Sequence, residues 1–120
     1  MSREGRFENK PLEERRQRFE ELAAKHPKKL PLVFQRSSKS NLAGVESFRF
    51  VSNRSTKLSH FAQQIRNSLS LSENAQLFFT NRSGTILKPE SLIEDIAKGS
   101  VGEDGFVYVD FQEVQSFGFC

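Results

Sequence analysis

The apolar positions near the end of the chain form the densest run in the sequence. Residues Phe106 to Phe111 have the order Phe-Val-Tyr-Val-Asp-Phe and follow the turn-forming segment 102–105. β-Branched and aromatic side chains favour extended backbone, and a nearly continuous apolar run is typical of a strand buried on both faces. The pattern therefore predicts a central strand, after which residues 112–120 leave the sheet as a short terminal arm.

Three other segments repeat their apolar residues with the period of a helix. The first runs from Pro11 to about His26, and the third, which is shorter, starts at Pro89. The second is the clearest, and Ser55 or Thr56 can cap it. Its apolar positions are Leu58, Phe61, Ala62, Ile65 and Leu69. We expect this second helix to cover one face of the sheet.

Alternating runs predict the remaining strands. Residues 30–35 and 48–52 flank a polar loop and predict a hairpin, and residues 76–80 predict a third strand. A hairpin, a crossover helix and a last strand parallel to the first make the β-grasp arrangement. We expect an α+β, ubiquitin-like β-grasp fold with a four-stranded mixed sheet, a crossover helix and an additional N-terminal helix or helices. The expected divisions are a polar segment 1–10, a domain 11–117 and a tail 118–120.

The charge of the chain is concentrated at one end. Residues 1–39 hold 11 Lys and Arg against 6 Asp and Glu, whereas residues 40–120 hold 7 against 9. Such a basic end could meet an anionic membrane, an acidic partner or nucleic acid. A solvated helix face explains the charges better than a nucleic-acid site, so no nucleic-acid partner is expected.

The inventory of reactive residues argues against catalysis. The chain has two histidines and one cysteine, Cys120, and lacks HExxH, CxxC, Walker and GxSxG motifs. A lone cysteine cannot form an internal disulfide, which favours a reducing compartment. No apolar run approaches the ~20 residues that a membrane-spanning helix needs, and no signal peptide is recognisable. We predict a cytoplasmic protein that is not an enzyme and uses no cofactor or metal.

Short segments spread over residues 8–118 match one known family in their order and spacing. They are 11–16, 25–27 with Pro31, 48–51, Phe61 with 65–66, 77–79, and 106–109 followed later by Phe117-Gly118. Together they resemble the GABARAP-type modifiers of autophagy, the autophagy-related protein eight family.

This resemblance implies a precursor that is processed after Gly118. A cysteine protease would remove Phe119 and Cys120, and activating and conjugating enzymes would then join Gly118 to phosphatidylethanolamine on autophagosomal membranes. A glycine suits this position because it has no Cβ to obstruct a narrow enzyme channel. The implied location is cytoplasmic, with a lipid-linked pool on autophagosomal membranes.

The resemblance also implies that cargo receptors bind through aromatic-x-x-aliphatic peptides, which add a strand to the edge of the second strand. The pocket for the aromatic residue would use Leu22, Pro31, Val33, Arg49, Val51 and Phe106. The pocket for the aliphatic residue would use Phe50, Ser52, Asn53, Thr56, Phe61 and Gln64. The family usually has valine, proline and leucines where four polar residues of this second set stand, so we expect narrower or weaker peptide binding than is usual in the family. The family also has a glutamate where Arg18 stands, which argues against acceptance of basic flanks on partner peptides.

Two alternatives remain open at this point. An autophagy-related protein twelve-type modifier is also β-grasp and glycine-ended, but it is joined to a protein. An unconjugated ubiquitin-like interaction domain would keep its tail and could use the basic helix to bind acidic partners.

Overall fold

The computed structural model describes residues 7–37 and 47–115. Its sheet contains β1 (Lys29–Arg36), β2 (Ser47–Asn53), β3 (Ala75–Thr80) and β4 (Val107–Gln115), in the spatial order β2-β1-β4-β3. β1 is antiparallel to β2 and parallel to β4, and β3 is antiparallel to β4. The last strand thus lies in the middle of the sheet beside the first, which confirms the predicted β-grasp topology.

Three helices and one 3-10 turn complete the described part of the chain. They are the 3-10 turn Phe7–Asn9, α1 (Leu12–Lys25), α2 (Leu58–Leu69) and α3 (Ile93–Ala97). α2 buries Leu58, Phe61 and Ile65, which follow the predicted helical spacing. α1 lies on the opposite face and has no fully buried residue. The sheet therefore lies between a firmly buried helix and a shallowly packed one.

The core on the α2 face is built around Phe34. The ring centroid of Phe34 is 5.7 Å from the centroids of Phe50, Phe61 and Phe79. Such edge-on and tilted aromatic pairs add to the stability gained from burying apolar area. Aliphatic residues from β1, β4, α2 and α3 fill the remaining space. Phenylalanine rings thus form the centre of this core.

The core on the α1 face is smaller. It consists of Phe7, Val33, Phe106 and Tyr108, with Phe19 and Leu22 of α1 packed against it. Phe7 belongs to the segment that the sequence indicated to be polar, yet it is 2% exposed and its ring centroid is 4.9 Å from that of Phe106. The backbone N–H of Glu8 donates to Gln35 Oε1 at 3.0 Å, which fixes the turn against β1.

The two helices on the α2 side begin later than predicted. Neither Ser55 nor Thr56 caps α2, because the backbone N–H groups of Leu58 and Ser59 donate to the carbonyls of Ser91 and Pro89. These long-range bonds satisfy N–H groups that a side-chain cap would otherwise serve. The same contact holds residues 89–92 outside the helix, so α3 begins at Ile93 rather than at Pro89. Ile93 and Ile96 of α3 are buried.

The central strand is longer than predicted. β4 continues beyond Phe111 to Gln115, because Gln112–Gln115 pair with Ala75–Phe78 of β3. The expectation that the chain leaves the sheet at residue 112 is therefore wrong. Residues 116–120, including Gly118, lie outside the described residues.

Candidate functional site

A cavity of about 580 Å³ lies between α1 and β2. Residues from one face of α1 form one side, β2 forms the other, and Phe106 lies between them. The lining residues are Arg18, Glu21, Leu22, Lys25, Ser47, Phe48, Arg49, Phe50, Val51 and Phe106. The cavity thus combines an apolar interior with charged residues around it.

Four of the six residues predicted for the aromatic pocket line this cavity: Leu22, Arg49, Val51 and Phe106. Pro31 and Val33 are buried in β1, where they pair with Val51 and Arg49 of β2. They support the cavity from within the sheet and do not line it. Phe50, which was assigned to the second pocket, contributes to the first.

The outer edge of β2 is adjacent to the cavity. Within the described residues β2 pairs with β1 alone, so its second edge has no strand partner. The backbone N–H and C=O groups of such an edge can pair with an added extended peptide. The edge and the cavity together form a site that could hold a strand and one of its side chains.

The second set of predicted residues forms a different kind of surface. Ser52 is 2% exposed, and its hydroxyl donates to the carbonyl of Asn53 at 2.7 Å. Phe61 is buried beneath Phe50, with ring centroids 4.9 Å apart. Gln64 is exposed, and its amide nitrogen lies 2.9 Å from His60 Nε2. Asn53 is exposed and Thr56 is half-buried. This surface offers little apolar area to an aliphatic side chain.

The charged residues around the cavity are mostly cations. Arg18 and Lys25 come from α1 and Arg49 from β2, against a single anion, Glu21. The guanidinium of Arg49 lies over the ring of Phe7, 5.1 Å from its centroid. The lining also contains four residues that were not predicted to belong to the site: Glu21, Lys25, Ser47 and Phe48. A usable signal existed on α1, because residues 18, 21, 22 and 25 follow the three- and four-residue spacing of one helix face.

A buried ionic cluster attaches α1 to the turn before β4. Arg15 Nη1 lies 2.8 Å from Asp104 Oδ2, and the hydroxyl of Tyr108 donates to the same oxygen. Asp104 Oδ1 accepts the backbone N–H of Phe106 at 3.0 Å. The Asp104 side chain is fully buried, and that of Arg15 is 15% exposed. The carboxylate therefore has three donors, as a buried charge requires.

The cluster shifts the ionisation of two of its members. Burial raises the pKa of Tyr108, and the hydrogen bond to Asp104 raises it further. Burial alone would lower the pKa of Arg15, but its hydrogen bonds to Tyr108 and Asp104 raise it above the ordinary value. The folded state thus favours a neutral phenol and a charged guanidinium.

Gly105 completes the attachment of α1. This glycine has φ +98°, and a Cβ built on it would lie 2.8 Å from the ring of Phe19. A side chain at this position would both strain the backbone and displace the ring. The first half of α1 is therefore fixed to the turn at 102–106, and its second half forms one side of the cavity.

Within residues 7–37 and 47–115, no group of three or more His, Cys, Asp or Glu side chains could hold a metal ion. Over the same residues, no helix has both the length and the apolarity needed to cross a bilayer.

The sheet, the crossover helix and the N-terminal helix on the opposite face define a ubiquitin-like domain. The family model described as "Autophagy protein Atg8 ubiquitin like" matches residues 14–118. The chain therefore belongs to the Atg8 family of ubiquitin-like autophagy proteins, whose members are modifiers and not enzymes.

The following relatives share the family but are distant from this chain in sequence. Autophagy-related protein 8i of Arabidopsis thaliana is 28% identical over 108 residues, which cover 89% of this chain and 92% of that protein. Autophagy-related protein 8 of Emericella nidulans is 27% identical over 112 residues, covering 92% of each. The crystal structure of Trypanosoma brucei ATG8 superposes with a TM-score of 0.79 at 21% identity, covering 93% of this chain and 96% of that one. The structural match shows the same fold.

Proposed function

We propose that this chain is a lipid-conjugated modifier of autophagy that recruits aromatic-x-x-aliphatic peptides to autophagosomal membranes. The observation that carries the proposal is the cavity between α1 and β2, beside an edge of β2 that no described strand covers. A modifier of this kind needs one end for attachment and a separate surface for recruitment. Here the carboxyl end would supply the first, and the cavity with the β2 edge the second.

The alternation of side chains along a strand explains how one peptide could reach both sets of residues. Successive side chains of an extended peptide point to opposite faces, so residues i and i+3 point to opposite sides. Arg49 lies opposite Val33 of the α1-face cluster, whereas Phe50 packs with the α2-face cluster. A peptide added to β2 would therefore place its aromatic residue in the cavity and its aliphatic residue beside Phe50.

The attachment half of the proposal concerns Gly118. Processing by a cysteine protease would release Phe119-Cys120, and activating and conjugating enzymes would transfer the Gly118 carboxylate to phosphatidylethanolamine. Membership of the Atg8 family supports this route, and the family model extends to residue 118. In the sequence, Gly118 follows soon after Gln115, the last residue of β4.

Intact mass measurement tests the attachment. In a reaction with the protease, the activating and conjugating enzymes, ATP and phosphatidylethanolamine vesicles, we expect loss of the last two residues and gain of one phospholipid less the water released when the amide forms. Gly118→Ala should block the gain, whereas a chain ending at Gly118 should need no protease. A link to a lysine side chain would favour the twelve-type alternative, and an untrimmed chain would favour the unconjugated one.

Peptide titration tests the recruitment. Val51→Glu places a charge in the cavity and should weaken binding of a Trp-x-x-Leu peptide by at least about tenfold, because an aromatic side chain cannot enter beside a buried charge. Val101→Glu is the matched control, since Val101 is 58% exposed and does not line the cavity. Equal affinities for the two variants would contradict binding at this site.

A further inference from the structure

The surface beside Phe50, here called the second subsite, is polar where a peptide side chain would meet it. The residue three positions after the aromatic anchor of an added peptide points to this side of the sheet. Phe50 is half-buried, and its ring centroid lies 4.9 Å from that of the buried Phe61. The other residues assigned to this subsite carry hydroxyls and amides: Ser52, Asn53, Thr56 and Gln64. The second subsite therefore has an apolar floor and a polar rim.

The helix α2 places Gln64 on the flank that faces β2. Phe61 of α2 contacts Phe50 of β2, and Gln64 follows Phe61 by three residues, which makes the two neighbours on the helix surface. Leu58 and Ala62 of the same helix line a pocket with β3 instead, on the opposite flank. Gln64 is thus the amide of α2 that a side chain resting on Phe50 would approach.

The amide of Gln64 is held in one position by His60. Its Nε2 lies 2.9 Å from Nε2 of His60, one helical turn earlier, and donates to that nitrogen. Among the described residues, the second N–H of this amide and the oxygen Oε1 form no hydrogen bond. A side-chain amide has two donors and a carbonyl acceptor. One donor and the acceptor of Gln64 are therefore available to a ligand.

An aliphatic side chain fits this arrangement poorly. It would contact Phe50, but it would also shield the free amide groups of Gln64 from water without offering them a hydrogen-bond partner, and this cost offsets the gain from apolar contact. The side chain of a glutamine would place its methylenes on Phe50. Its C=O and NH2 groups would then match the free N–H and the Oε1 of Gln64. A carboxylate supplies acceptors alone and matches only the N–H.

From this complementarity we infer that the chain selects peptides with an amide side chain, glutamine or asparagine, three positions after the aromatic anchor, in place of an aliphatic residue. Gln64 is the specificity-determining residue, and His60 is the positioning residue that holds its amide. The inference rests on the proposed peptide binding and changes the class of side chain that the second subsite accepts.

Calorimetric titration of the full chain with four peptides tests the inference. Each peptide contains one tryptophan with the same uncharged flanks, and the residue three positions later is glutamine, leucine, glutamate or alanine. We expect the glutamine peptide to bind about three- to tenfold more tightly than the leucine peptide, because one net hydrogen bond contributes about two- to tenfold in affinity. The glutamate peptide should bind less tightly than the glutamine peptide. If glutamate is preferred, charge and not amide pairing selects the peptide, and the inference is overturned.

Two leucine substitutions at adjacent residues of α2 locate the effect. Gln64→Leu removes the amide and enlarges the apolar floor, so the leucine peptide should then bind more tightly than the glutamine peptide. Gln63→Leu is the matched control, because Gln63 is exposed and its amide bonds to the exposed Asn67. The order of the four peptides should be unchanged in this control. Thermal melting verifies the fold of both variants, and Gln64→Met replaces Gln64→Leu if the latter is unstable.

The possible results separate this inference from the proposed function. If the peptides bind but leucine is preferred to glutamine, or if the two leucine variants change the order alike, the inference is overturned while the peptide site stands. If none of the four peptides binds, both fail together. A preference for glutamine that Gln64→Leu reverses and Gln63→Leu retains supports the inference.

Discussion

The two faces of the sheet are stabilised in different ways. On the α2 face, Phe34 contacts three other phenylalanine rings, and the helix places three residues into the core. On the α1 face, the apolar cluster has four buried members among the described residues, and an ionic cluster joins α1 to the turn before β4. One face is stabilised by apolar burial, whereas the other depends on a few specific contacts.

This difference places the candidate site on the less deeply packed face. A cavity can exist beside α1 because that helix buries no residue completely. Apolar burial is tolerant of small shifts, whereas a buried carboxylate with three donors requires one arrangement. The ionic cluster therefore supplies the fixed position of α1 that shallow packing alone would not give.

The largest expected effect comes from truncating adjacent residues of β1 that point to opposite faces. Phe34 and Val33 are both fully buried. Phe34→Ala should lower the free energy of unfolding by about 3–5 kcal/mol, and Val33→Ala by about 2 kcal/mol, because the first removes more apolar contact and leaves a larger cavity. Urea titrations measure both values. Equal losses would show that the two faces contribute alike.

A smaller but more local effect is expected at the ionic cluster. Asp104→Ala removes the acceptor of three donors and leaves the Arg15 guanidinium largely buried, so we expect a loss of about 3 kcal/mol. Amide hydrogen exchange should accelerate in α1 much more than in α2. Arg15→Met is the comparison variant, and it should cost less because Asp104 keeps the Tyr108 hydroxyl and the Phe106 N–H. Uniform acceleration across both helices would contradict a local role.

The smallest effect is a pH dependence of stability that originates at Tyr108. The pKa of this phenol is raised in the folded state, while the unfolded chain ionises at about pH 10. The phenol therefore contributes its full stabilisation below about pH 10, and this stabilisation is lost as the pH rises through the folded pKa. The loss amounts to about 1 kcal/mol at one pH unit above 10.

The ultraviolet tyrosinate signal measures this directly, because Tyr108 is the only tyrosine in the chain. The signal should develop at a higher pH in the folded protein than in urea. Tyr108→Phe should remove the added alkaline loss of stability. Coincident titrations of folded and unfolded protein would be inconsistent with the buried hydrogen bond.

The spacing of apolar residues along the chain predicted those helices and strands whose buried face repeats regularly in the sequence. The positions of the strands and of α2 and their buried faces were predicted correctly, because alternating or helical spacing decides which face is buried, but the central strand extends beyond its predicted end. The starts of α2 and α3 were wrong because each depends on backbone hydrogen bonds between residues 56–59 and 89–93, which no local signal records. The burial of Phe7 was missed for the same reason, since its partners lie far along the chain.

The functional residues likewise divide into those that the sequence predicted and those that it could not predict. Resemblance to a family located Leu22, Arg49, Val51 and Phe106, which do line one cavity. The cluster of Arg15 and Asp104 could not be predicted, because its members are 89 residues apart in sequence. The assignment of Gly118 stays a prediction from sequence and family, since it lies outside the described residues.

The uncovered edge of β2 has a further consequence for the behaviour of the protein at high concentration. Backbone groups that could accept a peptide could equally accept β2 of a second molecule, and such pairing leads to aggregation. Arg49 stands exposed in the middle of this strand. Two copies aligned about this residue would bring like charges face to face, which disfavours self-assembly while leaving the edge open to other sequences.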